Sequence, residues 1–287
     1  LNSFENRVYQ IGVEDASPVI AKFYRGGRWS DAAIGEEHAF ARELADAELP
    51  IVAPLRWEGR KSTLLHSGPF RFALYPRQGG RAPELESAQN LAWVGRLLAR
   101  MHGVGSRGRF AERGAIDRAT MIHAPSRAVL ASALLPDAQR DRYQHAVERI
   151  DTIVAEIFAG IDGLATLRLH GDCHAGNVLW TDSGPHFVDL DDARMGPAVQ
   201  DLWMLAPSPR ALDFLLEGYA EFRDFDRREL HLIEPLRVMR QVHYAGWIAQ
   251  RWDDPAFPRA FPFAGEARWW DQHVNDLLEA ATQLQDT

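Results

Sequence analysis

The chain has one cysteine in 287 residues, two lysines among 32 basic residues, and no apolar run near the ~20 residues that a membrane-spanning helix needs. Each scarcity excludes something. Cys173 alone makes neither an internal disulfide nor a multi-cysteine zinc site, which favours a reducing, cytoplasmic setting. The missing apolar run excludes an integral membrane protein. Acidic residues (40) outnumber basic ones (32), giving a net charge of −8, and no Lys/Arg-rich stripe is present, so nucleic acid is a poor partner. The sequence opens Leu1-Asn2-Ser3, without Met or a signal-peptide pattern, and we expect an N-terminal piece to lie outside this numbering.

Two phosphate-binding signatures are also missing. No G-x-G-x-x-G stands near the start, and Arg60 before Lys61-Ser62 spoils any G-x-x-x-x-G-K-[ST]. Gly103-Val104-Gly105-Ser106-Arg107-Gly108 has the letters of the first, but it follows a helical pattern rather than a strand and reads as a flexible loop. The rarity of lysine is itself informative. In so Arg-biased a chain, a retained lysine points to a need for a compact ammonium, because the two cations are not interchangeable. Lys61, beside Gly59 and Arg60, reads as a chance surface residue; Lys22, inside the apolar run Val19 to Tyr24, does not.

What is present is an ordinary globular composition, 46% hydrophobic and 25% charged, long enough for two lobes sharing a cleft. Val8 to Ile11, Val19 to Tyr24 and Phe70 to Tyr75 read as strands, with a hairpin expected from Leu55 to Leu65 around Gly59. Ser30 or Asp31 can cap a helix running to about Ala47. After the turn-rich Pro76 to Gly80 the pattern becomes helical. Ser87 caps one helix; Arg140 to Phe158, Pro209 to Phe222, Glu229 to Trp252 (with Pro235 a break) and Trp269 to Leu284 are others. A β-rich island spans Leu167 to Leu190, with apolar stretches at 167–169, 178–180 and 187–190.

That island carries the densest polar cluster, His170-Gly171-Asp172-Cys173-His174-Ala175-Gly176-Asn177, followed by Asp189-Leu190-Asp191-Asp192. Carboxylates gathered at strand ends are costly to bury unless a cation pairs them. Mg²⁺ suits them: it takes one or two carboxylates and an amide oxygen and leaves its other positions to substrate phosphates. An Asp, an Asn five residues on, and an Asp on the next hairpin form the catalytic-loop and metal-loop pattern of phosphoryl transfer. Lys22 matches the strand lysine that holds nucleotide phosphates, and Glu36 or Glu37 on the following helix could pair with it. As bland alternatives, His170 and His174 lack zinc-ligand spacing, Cys173 reads as a small buried thiol, and the late tryptophans (247, 252, 269, 270) read first as helix packing.

Taken in order, these segments resemble the aminoglycoside phosphotransferase and choline kinase superfamily. Within it they are similar to a family of bacterial cytoplasmic Ser/Thr protein kinases of stress response. The resemblance rests on Asn2 to Tyr9, Leu169 to Asn177, Phe187 to Arg194, Gly196 to Trp203 and Arg251 to Pro258. It implies an α+β, protein-kinase-like bilobal fold, with a small β-rich N-lobe over 1–77, expected to be N-terminally truncated, and a larger, mostly helical C-lobe over 78–287. It implies Asp172 as catalytic base, Asn177 and Asp189 as Mg²⁺ ligands, and Lys22 on the ATP phosphates with Glu37 bracing it. Ser3 would sit in the turn over the phosphates, Tyr75 to Gln78 (Tyr75 and Arg77 among them) would meet the adenine, and Asp201 would brace the catalytic loop. Of Asp191 and Asp192, one is expected to reach the metal and the other to cap the loop. The acceptor is a hydroxyl, of a protein or of a small molecule. Against a peptide acceptor, no A-P-E follows Asp189, and Asp201 comes only twelve residues later. A monomer is expected.

Overall fold

The computed structural model describes residues 4–57, 59–60 and 62–286. Ser3 and Lys61 therefore lie outside the described residues. In chain order the elements are β1 (Arg7–Val13), β2 (Ala16–Phe23), α1 (Asp31–Asp46), β3 (Leu65–Ser67), β4 (Phe70–Pro76), α2 (Ala88–Gly105), α3 (Ala124–Ala131), α4 (Asp137–Ala159), β5 (Leu167–Arg168), β6 (Val178–Thr181), β7 (Gly184–Phe187), β8 (Met195–Gly196), α5 (Val199–Trp203), α6 (Pro209–Ala220), α7 (Ile233–Ala249), α8 (Ala256–Ala260) and α9 (Ala267–Gln285). The α+β class expected from the sequence is what is found, with a small antiparallel sheet first and a mostly helical remainder.

By its internal contacts the chain divides into two compact units, one running to Gly114 and resuming over Ala165–Asp226, the other Ala115–Leu164 with the C-terminal stretch from Arg227. The first unit opens with an antiparallel sheet of order β1-β2-β4-β3. Ser30 caps α1 by accepting the Ala33 N–H at 3.0 Å, and the helix buries Ile34, Glu37, His38, Ala41 and Leu44, a stripe at helical spacing. Ile34 packs with Tyr24, Leu64 and Ala73, so the sheet and α1 share one core. Among the described residues no strand pairing forms across Gly59. Leu65 pairs instead with Phe72 across a two-residue turn at Gly68 and Pro69, where Gly68 has φ +54°. Glycine accepts that backbone without penalty, so the tighter turn closes the hairpin.

Helices α2 and α6 pack almost backbone to backbone. A Cβ on Gly95 would lie 2.1 Å from the Leu215 carbonyl oxygen, and one on Gly218 would lie 2.0 Å from that of Ala92. The glycine-rich stretch at 103–108 is not a flexible loop at its start. Gly103 and Gly105 complete α2, and a Cβ on Gly105 would lie 2.2 Å from the Arg168 carbonyl oxygen. Gly105 thus serves close packing against β5.

In the second unit, α4 packs on α9 and α3 on α7. Pro235 does not break a helix: it sits in the first turn of α7, where its missing N–H costs no intrahelical bond. Trp270 is buried and its Nε1 donates to the Ala264 carbonyl at 2.9 Å, while Trp269 stacks on His273 with ring centroids 5.1 Å apart. These tryptophans are packing residues within the unit.

Candidate active site

The site forms within the first unit, where a cavity of about 510 Å³ is bounded by β1, β2, β4 and the two loops of the island. Strand alternation decides which side chains reach it. Ile20 and Lys22 on β2, with Val8 and Gln10 on β1, line the cavity, and the register pairs Lys22 with Val8 on one side and Ala73 on the other. Lys22 Nζ lies 2.8 Å from Asp189 Oδ1, 3.1 Å from Asp191 Oδ1 and 3.8 Å from Glu37 Oε1. Burial by itself would push the ammonium down, but these carboxylates outweigh it and hold Lys22 well above the ordinary lysine value. Burial pushes the Glu37 carboxyl up to about 7 against the pull of Lys22. Glu36 faces elsewhere: it accepts the backbone N–H groups of Ala111 (2.7 Å), Glu112 (3.0 Å) and Arg113 (3.2 Å). Of the two glutamates, Glu37 is the one facing Lys22.

The catalytic-loop candidate is held from beneath by Asp201, at the start of α5. Its Oδ2 accepts the His170 N–H at 2.8 Å and its Oδ1 the Gly171 N–H at 2.9 Å, as the sequence led us to expect. His102 on α2 reaches Asp201 Oδ2 at 3.2 Å through Nε2 and Tyr219 at 2.9 Å through Nδ1. Asn177 Nδ2 donates to the Asp172 carbonyl at 2.9 Å, and Val188 N–H donates to the Asn177 carbonyl at 3.0 Å, so the loop and β7 are stitched together. His174 Nδ1 accepts the Gly176 N–H at 2.9 Å, which leaves Nε2 as its protonated nitrogen, 3.5 Å from Asp172 Oδ2. Cys173 is a fully buried thiol, its pKa raised by burial and by Asp201 and Asp172.

Asp189 is not borne on a strand. Strand β7 ends at Phe187, and Asp189 takes the left-handed conformation (φ 61°, ψ 67°) before a turn over Leu190–Asp192. This backbone is uncommon for a non-glycine residue, and Asp189 lines the cavity with its side chain 49% exposed. A hard divalent cation fits these residues. With Nδ2 committed to the Asp172 carbonyl, Asn177 presents Oδ1, and Asp189 presents a carboxylate; among the described residues no group of three or more His, Cys, Asp or Glu could hold a metal unaided. A two-donor set suits Mg²⁺ completed by phosphate oxygens and water.

Tyr75 and Arg77 also line the cavity. Tyr75 hydroxyl lies 2.8 Å from the Tyr24 hydroxyl, and Arg77 Nε donates to Gln10 Oε1 at 2.9 Å. Behind them His38 bonds Tyr24 at 2.7 Å and Thr63 at 2.7 Å. Burial, then Lys22, pushes His38 down to about 3. Its folded pKa thus lies below the unfolded value of about 6.5. Between the two the unfolded chain holds the extra proton, so the contribution is complete above about pH 6.5 and is lost as pH falls, at about 1.4 kcal/mol per pH unit. The urea midpoint should fall between pH 6.5 and 5 more steeply for the wild type than for His38→Asn. Equal slopes would show that His38 titrates normally.

Three residues that the sequence did not single out complete the site. Arg28 bonds Asp191 Oδ2 and lies 2.6 Å from Asp192 Oδ1. Asn6 Nδ2 donates to Asp191 Oδ2 at 3.1 Å. Arg113, fully buried, donates to the Ala193 carbonyl at 2.6 Å, the Ala33 carbonyl at 3.0 Å and the Asp191 carbonyl. The candidate residues Lys22, Glu37, Tyr75, Arg77, Asn177 and Asp189 thus line one cavity, while Asp172 is outside its lining and is tied to Asn177 through its carbonyl.

Known proteins resemble this chain in sequence and in fold. The model of the phosphotransferase enzyme family, APH, matches residues 1–233. Stress response kinase A of Salmonella choleraesuis (strain SC-B67) is 43% identical over 291 aligned positions, covering 100% of this chain and 87% of the relative. The serine/threonine protein kinase RdoA of Salmonella typhimurium (strain LT2) matches with the same identity and coverage. Among solved structures, amicoumacin kinase hAmiN in complex with AMP-PNP, Ca²⁺ and Ami superposes with a TM-score of 0.73 at 18% identity, over 96% of this chain and 87% of that one. That likeness carries the fold.

Proposed function

The chain belongs to the APH phosphotransferase enzyme family, and from that premise we propose that it is an ATP- and Mg²⁺-dependent kinase acting on a hydroxyl, a cytoplasmic Ser/Thr protein kinase of stress response. The observation that carries this reading is the convergence of Lys22, Asn177 and Asp189 on one cavity, with Asp172 tied to Asn177. Residues 1–77 would hold the nucleotide and 78–287 would carry the catalytic loop. The cavity has the volume of a nucleotide-sized ligand site. The Tyr75 to Gln78 backbone and Arg77 meet the base; Lys22 meets the phosphates, with Ser3, outside the described residues, expected beside it. Asn177 and Asp189 hold Mg²⁺, which supplies positive charge where phosphoryl oxygens gain negative charge. Asp172 orients the acceptor hydroxyl in line and takes its proton, while His174 Nε2 faces the carboxylate and limits its rotation.

One observation favours a small-molecule acceptor as the second reading. The segment from Asp189 to Asp201 is consumed by the Leu190–Asp192 turn, by β8 paired to β5, and by the entry to α5. Little backbone is left there to dock a peptide.

The test is transfer of labelled γ-phosphate from Mg-ATP to a Ser/Thr-rich protein and, in parallel, to amino alcohols, sugars and aminoglycosides. Label on the protein supports the first reading, label on a small molecule alone supports the second, and no Mg-dependent transfer to either removes both. Asp189→Ala should weaken Mg-ATP binding by at least about 10-fold, since it removes the only carboxylate of the two-donor set. Unchanged affinity would remove Asp189 from the metal.

A further inference from the structure

We propose that Asp191 is a positioning residue of the nucleotide site: it anchors the Lys22 ammonium and the turn containing Asn6, and it is not a metal ligand. The inference rests on the reading of Lys22, Asn177 and Asp189 given above. In the sequence Asp189 and Asp191 are equivalent acids two positions apart, and both touch Lys22. The structure separates them. The Asp189 side chain is half exposed to the cavity; that of Asp191 is 4% exposed.

The Asp191 carboxylate faces groups from three segments. Lys22 on β2 lies at Oδ1, while Asn6 before β1 and Arg28 between β2 and α1 both lie at Oδ2. Its main-chain oxygen accepts from Arg113, which also binds α1 through the Ala33 carbonyl. A dication on this carboxylate would sit against Lys22 and Arg28, two like charges at contact distance in a buried setting. Among the described residues Asp189 has its contact with Lys22 to exchange, and Lys22 then keeps Asp191. Glu37 is the more distant partner, at 3.8 Å, and its other oxygen faces Arg113 at 3.7 Å. Asp191, on the metal loop, therefore takes the place that the helix glutamate was expected to fill.

The test is calorimetric binding of ATP and of adenosine, with Mg²⁺ in excess, to the full chain and to Asp191→Asn, Lys22→Ala and the double variant. Losing a buried charge-assisted contact should weaken ATP by about 10- to 100-fold in Asp191→Asn and leave adenosine within about 2-fold. Asp191→Asn should cost less in the Lys22→Ala background than in the wild type, because part of the Asp191 effect passes through the lysine. Unchanged ATP affinity in Asp191→Asn overturns the proposal, as do additive losses in the double variant. Recovery of ATP affinity when Mg²⁺ is raised also overturns it, since that marks a metal ligand. Adenosine binding reports the fold. Should Asp191→Asn not fold, Asn6→Ala leaves the charge in place and is expected to lose about 3- to 10-fold for ATP and nothing for adenosine; unchanged ATP affinity there is again contrary. A wild-type chain that binds neither ligand removes the nucleotide-site reading itself, which the variants alone would not do.

Discussion

Asp172→Asn is expected to lower phosphoryl transfer by about 10³-fold while ATP affinity and thermal stability stay near wild type. The substitution is nearly isosteric, and the loop is held by contacts it does not touch. The Asp172 carbonyl that receives Asn177 Nδ2 is main chain, and the Asp201 carboxylate binds the His170 and Gly171 amides. Lys22, Asn177 and Asp189, the groups assigned to the nucleotide and the cation, are unaltered. What the variant loses is a negative charge able to accept the acceptor's proton and to orient its oxygen; the amide of Asn can do neither well. Single-turnover transfer separates this loss from binding, and calorimetry with ATP supplies the other half. Turnover within a few-fold of wild type would remove Asp172 from the chemistry. A parallel loss of ATP affinity would instead mean that the residue supports the phosphate site.

The parts of this site that were legible in the sequence are those set close together or marked by rarity. Asp172 and Asn177 share one loop, Asp189 follows on the next hairpin, and Lys22 stood out because the chain otherwise uses arginine. The helix starts at Ser30 and Ser87 were readable because a cap is local chemistry. Arg113 and Arg28 were not readable for the opposite reasons. Each is one arginine among thirty, and each meets its partners across a long stretch of chain: Arg28 reaches Asp191 over 163 positions and Arg113 reaches the same residue over 78. Asn6 lies within the segment 2–9 that carries the resemblance, yet its bond to Asp191 spans 185 positions. Other misreadings were local. Gly68-Pro69 between apolar runs is a tighter turn signal than Gly59. The apolar letters of 187–190 suggested a strand, but the backbone leaves it because Asp189 must turn into the cavity.

Gly171→Ala should be the most damaging single-methyl change in the first unit, destabilising the chain by about 3 kcal/mol or more and abolishing transfer in the molecules that remain folded. Gly171 has φ +84°, where an alanine gives up about 1–2 kcal/mol by backbone alone. Space makes matters worse. A Cβ there would lie 2.1 Å from the Asp192 carbonyl oxygen and 2.9 Å from its carbon, both main chain and neither able to swing aside. The two loops in contact are the ones that matter, because Gly171 precedes Asp172 and Asp192 follows the Asp189 turn. The neighbouring bonds resist a shift: Gly171 N–H to Asp201 at 2.9 Å, Gln200 Nε2 to the Gly171 carbonyl at 3.2 Å, and Leu169 N–H to the Arg194 carbonyl at 2.9 Å. Relief therefore requires that Asp172 move away from Asp189, or that Asp201 lose one of its amides. Urea unfolding gives the stability term, and transfer measured well below the unfolding midpoint gives the geometric one. A loss below about 1 kcal/mol with normal turnover would show that the two loops approach less closely than this contact requires.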